Sequence, residues 1–189
     1  MADNAIDTYW RALAMLRLER NAGLHLLEDA FAKGSVPSSL DGRTRGRLLA
    51  TTVGHGVDVP FEAVATAWMP WKGKTFDSDA REGRNIFADG VRKTMRITLP
   101  TYRDAVPDGP NRCTAFRFLS SVGPSALDEH VEVLRIDYRD VPENPAWPIR
   151  RVLDEVVAVG DGIFLGQALL AWRGQLRRAA WFCLEEAGS

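Results

Sequence analysis

Beyond Pro70 the chain breaks into short runs of partly alternating apolar and polar residues, each closed by turn chemistry, and this spacing constrains the fold more than any other feature. The runs are Lys72 to Phe76, Arg84 to Ala88, Thr94 to Tyr102, Cys113 to Ser121 and Val131 to Arg139. Asp89-Gly90, Pro107-Asp108-Gly109-Pro110 and Gly123-Pro124 separate them, each a recognised turn composition. Ile163 to Trp172 and Arg178 to Glu185 read as a final hairpin across Arg173-Gly174-Gln175. Short strands at regular spacing imply an antiparallel barrel or sandwich. Six to eight such strands must bury one face, and a sheet that curls shut loses its exposed edges. A barrel of about eight strands is just wide enough for one small ligand. The alternative is an open α+β sheet with helices on one face.

Helical periodicity frames the strands. Ile6, Tyr9, Leu13 and Leu16 follow three-and-four spacing behind a cap at Asp3 or Asn4, and Leu24, Leu27 and Phe31 resume it after Asn21-Ala22-Gly23. One kinked helix or two short ones between residues 4 and 33 are expected, ended by Gly34. Gly42 to Val53 reads as a first strand, Gly54-His55-Gly56 as its turn, and Phe61 to Trp68 as a short helix. Pro145 to Val159 places Ile149, Val152, Leu153, Val156 and Val157 on one helical face, with Gly160 just past the end. The expectation is one α+β domain over residues 1–189. Residues 1–34 form its helical segment, and 42–189 form a barrel with an inserted helix, 145–159, before the C-terminal hairpin.

Charge and composition exclude several functions. Twenty-four basic and twenty-five acidic residues give a net charge of -1, which offers no field for nucleic acid. Arg92, Lys93, Arg96 and Arg103 with Tyr102 form a local basic cluster, but near-neutrality argues against a nucleic-acid partner. Cys113 and Cys183 are too few for a disulfide framework and sit in apolar stretches, as buried free thiols do. No apolar run approaches the ~20 residues of a membrane span, and Asp3 and Asp7 head a start without a signal pattern, so a cytoplasmic protein is expected. His25, His55 and His130 lack metal-ligand spacing, so neither a metal nor a cofactor is expected. His55 between two Gly suits a solvated turn better than an axial ligand to haem. No nucleophile elbow or phosphate-cradling loop is present.

Trp68-Met69-Pro70-Trp71-Lys72-Gly73-Lys74-Thr75-Phe76 sets three aromatic rings and two Lys around a Pro and a Gly. Rings beside cationic tips hold an apolar body with a polar or anionic end; the structural alternative is that the Trp rings plug one end of a barrel. Together with Gly83-Arg84-Asn85-Ile86-Phe87, this stretch resembles a group of uncharacterised bacterial proteins. The match continues in Gly42-Arg43, Gly46-Arg47-Leu48-Leu49, Ile136-Asp137-Tyr138, Pro142-Glu143-Asn144-Pro145, Asp154-Glu155 and Leu165-Gly166-Gln167-Ala168. The Trp-x-Gly-Lys-x-Phe part is similar to the short domain named for its Gly-x-Trp-x-Gly motif and, more distantly, to lipocalin-like barrels. Pro70 departs from the latter, standing where a lipocalin-like Gly would be. The resemblance implies a small barrel that binds an apolar molecule, and no particular reaction.

These readings lead to an expected small apolar ligand, lipid-like or polycyclic, held in a barrel cavity. Its walls would be Trp68, Trp71, Phe76, Phe116, Phe118, Tyr138 and Trp172, and its head-group contacts Lys72, Lys74, Arg96 and Arg117. Alternation along Val131 to Arg139 sends Leu134, Ile136 and Tyr138 to one face, and Tyr138 inward is favoured over Asp137. An enzyme, a cyclase or isomerase acting in the same cavity, is the alternative, with Asp137, Tyr138 and Glu155 as acid–base candidates. On a 145–159 helix, Arg150–Asp154 and Arg151–Glu155 would instead be surface ion pairs. A structural subunit of a larger assembly is a further alternative, and a homodimer is compatible with the sequence.

Overall fold

The computed structural model describes residues 4–38, 40–52 and 70–187. Trp68, the Gly54-His55-Gly56 turn and the Phe61 to Trp68 helix lie outside them. Two helices come first, α1 (Ala5–Leu18) and α2 (Arg20–Ala32). Asn4 caps α1 by accepting a hydrogen bond from the Asp7 N–H at 2.9 Å. The helical break falls at Glu19, whose backbone is extended, earlier than the Asn21-Ala22-Gly23 interruption. Gly23 lies inside α2 for a different reason. A Cβ there would sit 2.5 Å from the Leu16 backbone nitrogen, so the glycine lets the two helices close on each other.

The strands follow as β1 (Gly42–Thr51), β2 (Trp71–Asp77), β3 (Glu82–Ala88), β4 (Val106–Pro107), β5 (Arg112–Pro124), β6 (Glu132–Asp137), β7 (Val152–Gly160), β8 (Ile163–Trp172) and β9 (Gln175–Glu186). Every pairing between them is antiparallel. The order β3-β2-β1-β9-β8-β7-β6-β5, with β3 also paired to β5, closes an eight-stranded barrel; the two-residue β4 pairs with the start of β5, at Cys113 and Thr114. The expected α+β antiparallel barrel is therefore the architecture found.

Two segments differ from the sequence reading. Residues 145–159 are not a helix: a single 3-10 turn at Ile149–Arg151 leads into β7, which pairs with β6 and β8. Both faces of β7 are buried, so its apolar residues run on without the alternation that marks a half-exposed strand. Among the described residues, the helix between strands is instead α3 (Val91–Thr98), in a stretch expected as strand from Thr94 to Tyr102. Val91 and Met95, four apart, are its buried pair.

Two apolar layers result. Inside the barrel, Phe76, Phe87, Phe116, Phe118, Ile136, Val156 and Phe182 fill the bore. Outside it, α1 and α2 pack Tyr9, Ala12, Leu27 and Phe31 against Val157, Leu165, Trp181 and Cys183 of the wall. Phe31 and Trp181 meet edge to face, 5.6 Å between centroids. Both Cys113 and Cys183 are buried and free, as expected. The helical layer leans on its cap: Asn4→Ala is expected to cost about 1 kcal/mol, seen as a lowered urea midpoint with unchanged slope.

Candidate functional site

A lysine lies at the centre of the bore. Lys74, on β2, is 1% exposed, and its ammonium donates to Asn85 Oδ1 at 2.8 Å, Tyr138 Oη at 2.6 Å and Asp154 Oδ2 at 2.8 Å. All three N–H donors are thereby used. Strand pairing explains the convergence. Lys74 faces Asn85 directly across β2–β3, and Asp154 faces Ile136 across β6–β7. Tyr138 extends the inward alternation of Leu134 and Ile136 by one step, as the sequence indicated.

The rest of the network is closed on itself. Tyr138 donates to Asp154 Oδ2 at 2.9 Å, and Asn85 Nδ2 donates to Tyr138 Oη at 3.0 Å and to the Phe116 carbonyl at 3.2 Å. The Trp71 indole N–H reaches Asn85 Oδ1 at 3.2 Å. Four rings surround the ammonium, with Phe118, Tyr138, Trp71 and Phe182 centroids 5.3–5.6 Å from Nζ, within cation–π range. One atom stands out: Asp154 Oδ1 is buried and has no hydrogen-bond partner among the described residues.

Burial sets the proton affinities. Loss of water pulls the Lys74 ammonium below its ordinary 10.5, while the Asp154 charge and hydrogen bond pull the other way. Burial, reinforced by Asp154, raises the Tyr138 phenol well above 10.0 and keeps it protonated; the Asn85 hydrogen bond opposes this. The cluster thus combines a desolvated amine, a carboxylate with a spare lone pair and a phenol that holds its proton.

Beside it, Trp71, Asn85, Phe87, Phe116, Tyr138, Ile149 and Val152 enclose a cavity of about 10 Å³, room for roughly one water. Phe116 reaches it because β5 bulges there, with Phe116 at φ 53 between Ala115 and Arg117 in the β3 register. Around the cluster the bore is filled by side chains, and the void they leave there is of water size.

The remaining expected site residues scatter. Phe76 and Phe118 lie inside, 5.4 Å apart. Trp71 is half-buried, edge-on to Phe182 at 5.5 Å. Trp172 stands away from the cluster and packs on Trp147 at 5.6 Å. Lys72 is exposed at the register shift between Trp71 and Gly73, which breaks the alternation that would otherwise put it on the face of Lys74. Arg96 is exposed on α3. Arg117 is half-buried beside Glu82 at 3.6 Å and does not enter the bore.

Among the acid–base candidates only Tyr138 belongs to the cluster. Asp137 accepts a hydrogen bond from the Arg139 N–H at 2.8 Å, an ordinary turn contact. Glu155 is fully buried on the outer face of β7, where Ser125 Oγ, the Ala126 N–H and Gln167 Nε2 each donate at 2.7 Å. Neighbouring strand residues point to opposite faces, so Asp154 and Glu155 part company. The helical ion pairs Arg150–Asp154 and Arg151–Glu155 do not form; Arg150 bonds the Arg139 carbonyl at 2.8 Å and Arg151 is exposed. Asn85 and Asp154 are the two cluster members that sequence reasoning left out of its ligand set.

Among the described residues no group of three or more His, Cys, Asp and Glu could hold a metal ion, and no helix is long and apolar enough to cross a membrane. No family model and no curated protein matches the chain. A solved structure, described as the crystal structure of a protein from Thermomonospora curvata, is similar at 17% identity, covering 96% of this chain and 99% of that one, with a TM-score of 0.49.

Proposed function

We propose that the barrel binds a small apolar molecule with one polar end, received where Trp71, Phe116 and Tyr138 meet. A barrel is compatible with ligand binding, and one observation carries the reading further: a polar cluster buried at the bore's centre, with Asn85 and Tyr138 lining a residual cavity. Buried ionic groups are poor sources of stability, since desolvation offsets their attraction, whereas pockets need a few polar groups in an apolar surround to orient a ligand. The filled bore limits the ligand to something entered by displacing Phe116 or Trp71.

Titration with 2-naphthoate, followed by NMR, tests this. Shifts of the Trp71 indole and Asn85 amide signals are expected, with affinity about 10-fold weaker in Tyr138→Phe, the equivalent of one hydrogen bond. Phe116→Ala enlarges the cavity and is expected to bind more tightly. Silence of those signals in both the native protein and Phe116→Ala overturns the reading. The enzyme alternative draws on the Asp154 Oδ1 lone pair beside the protonated Tyr138, with Asp137 and Glu155 outside the bore. Turnover lost in Asp154→Asn but kept in Glu155→Gln would favour it over simple carriage.

A further inference from the structure

We infer a second, separate site: an anion pocket at α3, shaped for a phosphate monoester. Arg92, Arg96 and Arg103 line one surface pocket of about 360 Å³ together with Met95, Tyr102 and Ala105. Three guanidiniums around one concavity are a costly arrangement without a counter-charge, because like charges repel and each fork-shaped head is built to take two oxygens at once.

The local acids compensate only one of them. Asp104 is taken by Arg84, which grips it with two guanidinium nitrogens at 2.8 and 2.5 Å. Asp89 forms a loose ion pair with Arg92 at 3.7 Å, which leaves Arg96 and Arg103 without an acidic partner among the described residues. Arg103 donates to the Pro100 and Tyr102 carbonyls, which holds its head in place without cancelling its charge. Arg96 has no partner among the described residues. The pocket is thus a positive concavity in a chain whose net charge is only -1.

Its floor is apolar and rigid. Met95 and Tyr102 are each 5% exposed. Tyr102 is fixed from below: its oxygen accepts the Phe116 N–H at 2.6 Å, and its ring lies 4.9 Å from the Phe116 ring. A planar or apolar body resting on Met95 and Tyr102 would carry its dianionic end into the guanidiniums. A dianion gains more from three Arg than a carboxylate does, and its three terminal oxygens accept several forked contacts. The anion end of the same chemistry occurs on a soluble phosphate ester and on a phosphatidic-acid surface.

Lys93 supplies the decisive control, since it carries the same charge on the same helix and does not line the pocket. Phenyl phosphate is titrated by isothermal calorimetry at fixed ionic strength, and vesicles of phosphatidylcholine with phosphatidic acid are tested by co-sedimentation. Arg96→Ala and Arg103→Ala are expected to weaken binding at least 10-fold, and Lys93→Ala less than 2-fold. Circular dichroism checks that each variant is folded, and Arg96→Lys, which keeps the charge and loses the fork, is expected to fall between. Binding of phenyl phosphate identifies a soluble ester as the source, and binding to vesicles alone identifies the lipid head group. Equal losses in Lys93→Ala and Arg96→Ala, or binding in neither arm, overturns the site. The Trp71 and Asn85 signals should stay still on phenyl phosphate addition, which keeps this result independent of the interior ligand.

Discussion

Replacing Lys74 by Met is expected to destabilise the barrel by about 3–5 kcal/mol, and Asp154→Leu by a similar amount, because each leaves its partner charged in a dry bore. The double variant Lys74→Met with Asp154→Leu is expected to recover most of that loss and to stand within about 2 kcal/mol of the native chain, above or below it. Urea denaturation of all four proteins completes a double-mutant cycle whose coupling term should be large, since the two heads touch at 2.8 Å with 1% exposure each. Additive single losses would mean that the two groups do not compensate each other, and the description of the bore as a closed ionic network would fail.

The same pair sets a pH signature. Burial lowers the Lys74 pKa below 10.5, so between its folded value and 10.5 the unfolded chain holds a proton that the folded chain sheds. Stability from this group therefore rises with pH through that window and is lost as pH falls. Tyr138 acts oppositely: its phenol is raised above 10.0, so the unfolded chain ionises first and stability falls as pH climbs past about 10. The native protein should gain on the double variant as pH rises from 8 toward 10, and both should decline above it. A flat difference between the two would place the Lys74 proton affinity near its ordinary value.

The barrel was legible in the sequence because turn chemistry survives in local residues: Asp89-Gly90 and Arg173-Gly174 each close an element where they stand. Strand β7 was not, since a strand buried on both faces and a helix stripe share the same apolar residues. Val152 and Val156 fit helical spacing, yet they point into the bore while Val157 meets the outer helices. The β-branched Val run was the signal for strand, and the one-face apolar stripe with Gly160 just past its end outweighed it. Lys74 was legible as a candidate head-group contact, but its network was not. Its partner Asp154 stands 80 residues away, and no local pattern announces a contact made only by closing β2 and β7 into one ring. Arg96 and Arg117, expected as head-group contacts, would need to project inward from strands; α3 carries the first exposed, and the second lies at the β5 bulge beside Glu82.

Gly73→Ala is expected to cost at least ~3 kcal/mol, out of proportion to one methyl group. Gly73 adopts φ +140, a conformation that side chains rarely take, and a Cβ there would stand 2.2 Å from the Thr44 carbonyl oxygen and 2.9 Å from the Gly46 nitrogen. Both obstacles are backbone, so no rotamer change relieves them. The regular β1–β2 ladder holds only at Gly42↔Phe76 and Arg43↔Thr75. Beyond it the Thr44 hydroxyl takes over, donating to the Lys74 carbonyl at 2.9 Å and accepting the Lys74 N–H at 3.1 Å. This two-way clamp fixes the backbone from which Lys74 projects, and it requires β1 to approach Gly73 as closely as a missing Cβ allows. Alanine must therefore push β1 away, breaking the clamp and moving the ammonium off Asp154, Tyr138 and Asn85 together. Gly90→Ala is the control: its φ of -53 suits any residue and a Cβ there meets nothing within 4 Å, so the lost N-cap preference and the gain in chain stiffness leave stability within about 1 kcal/mol. Denaturation midpoints for the two variants measure the contrast, and the Lys74→Met background sharpens it. If Gly73→Ala loses as much there as in the native chain, its cost is backbone strain alone; a smaller loss assigns the remainder to the aim of Lys74.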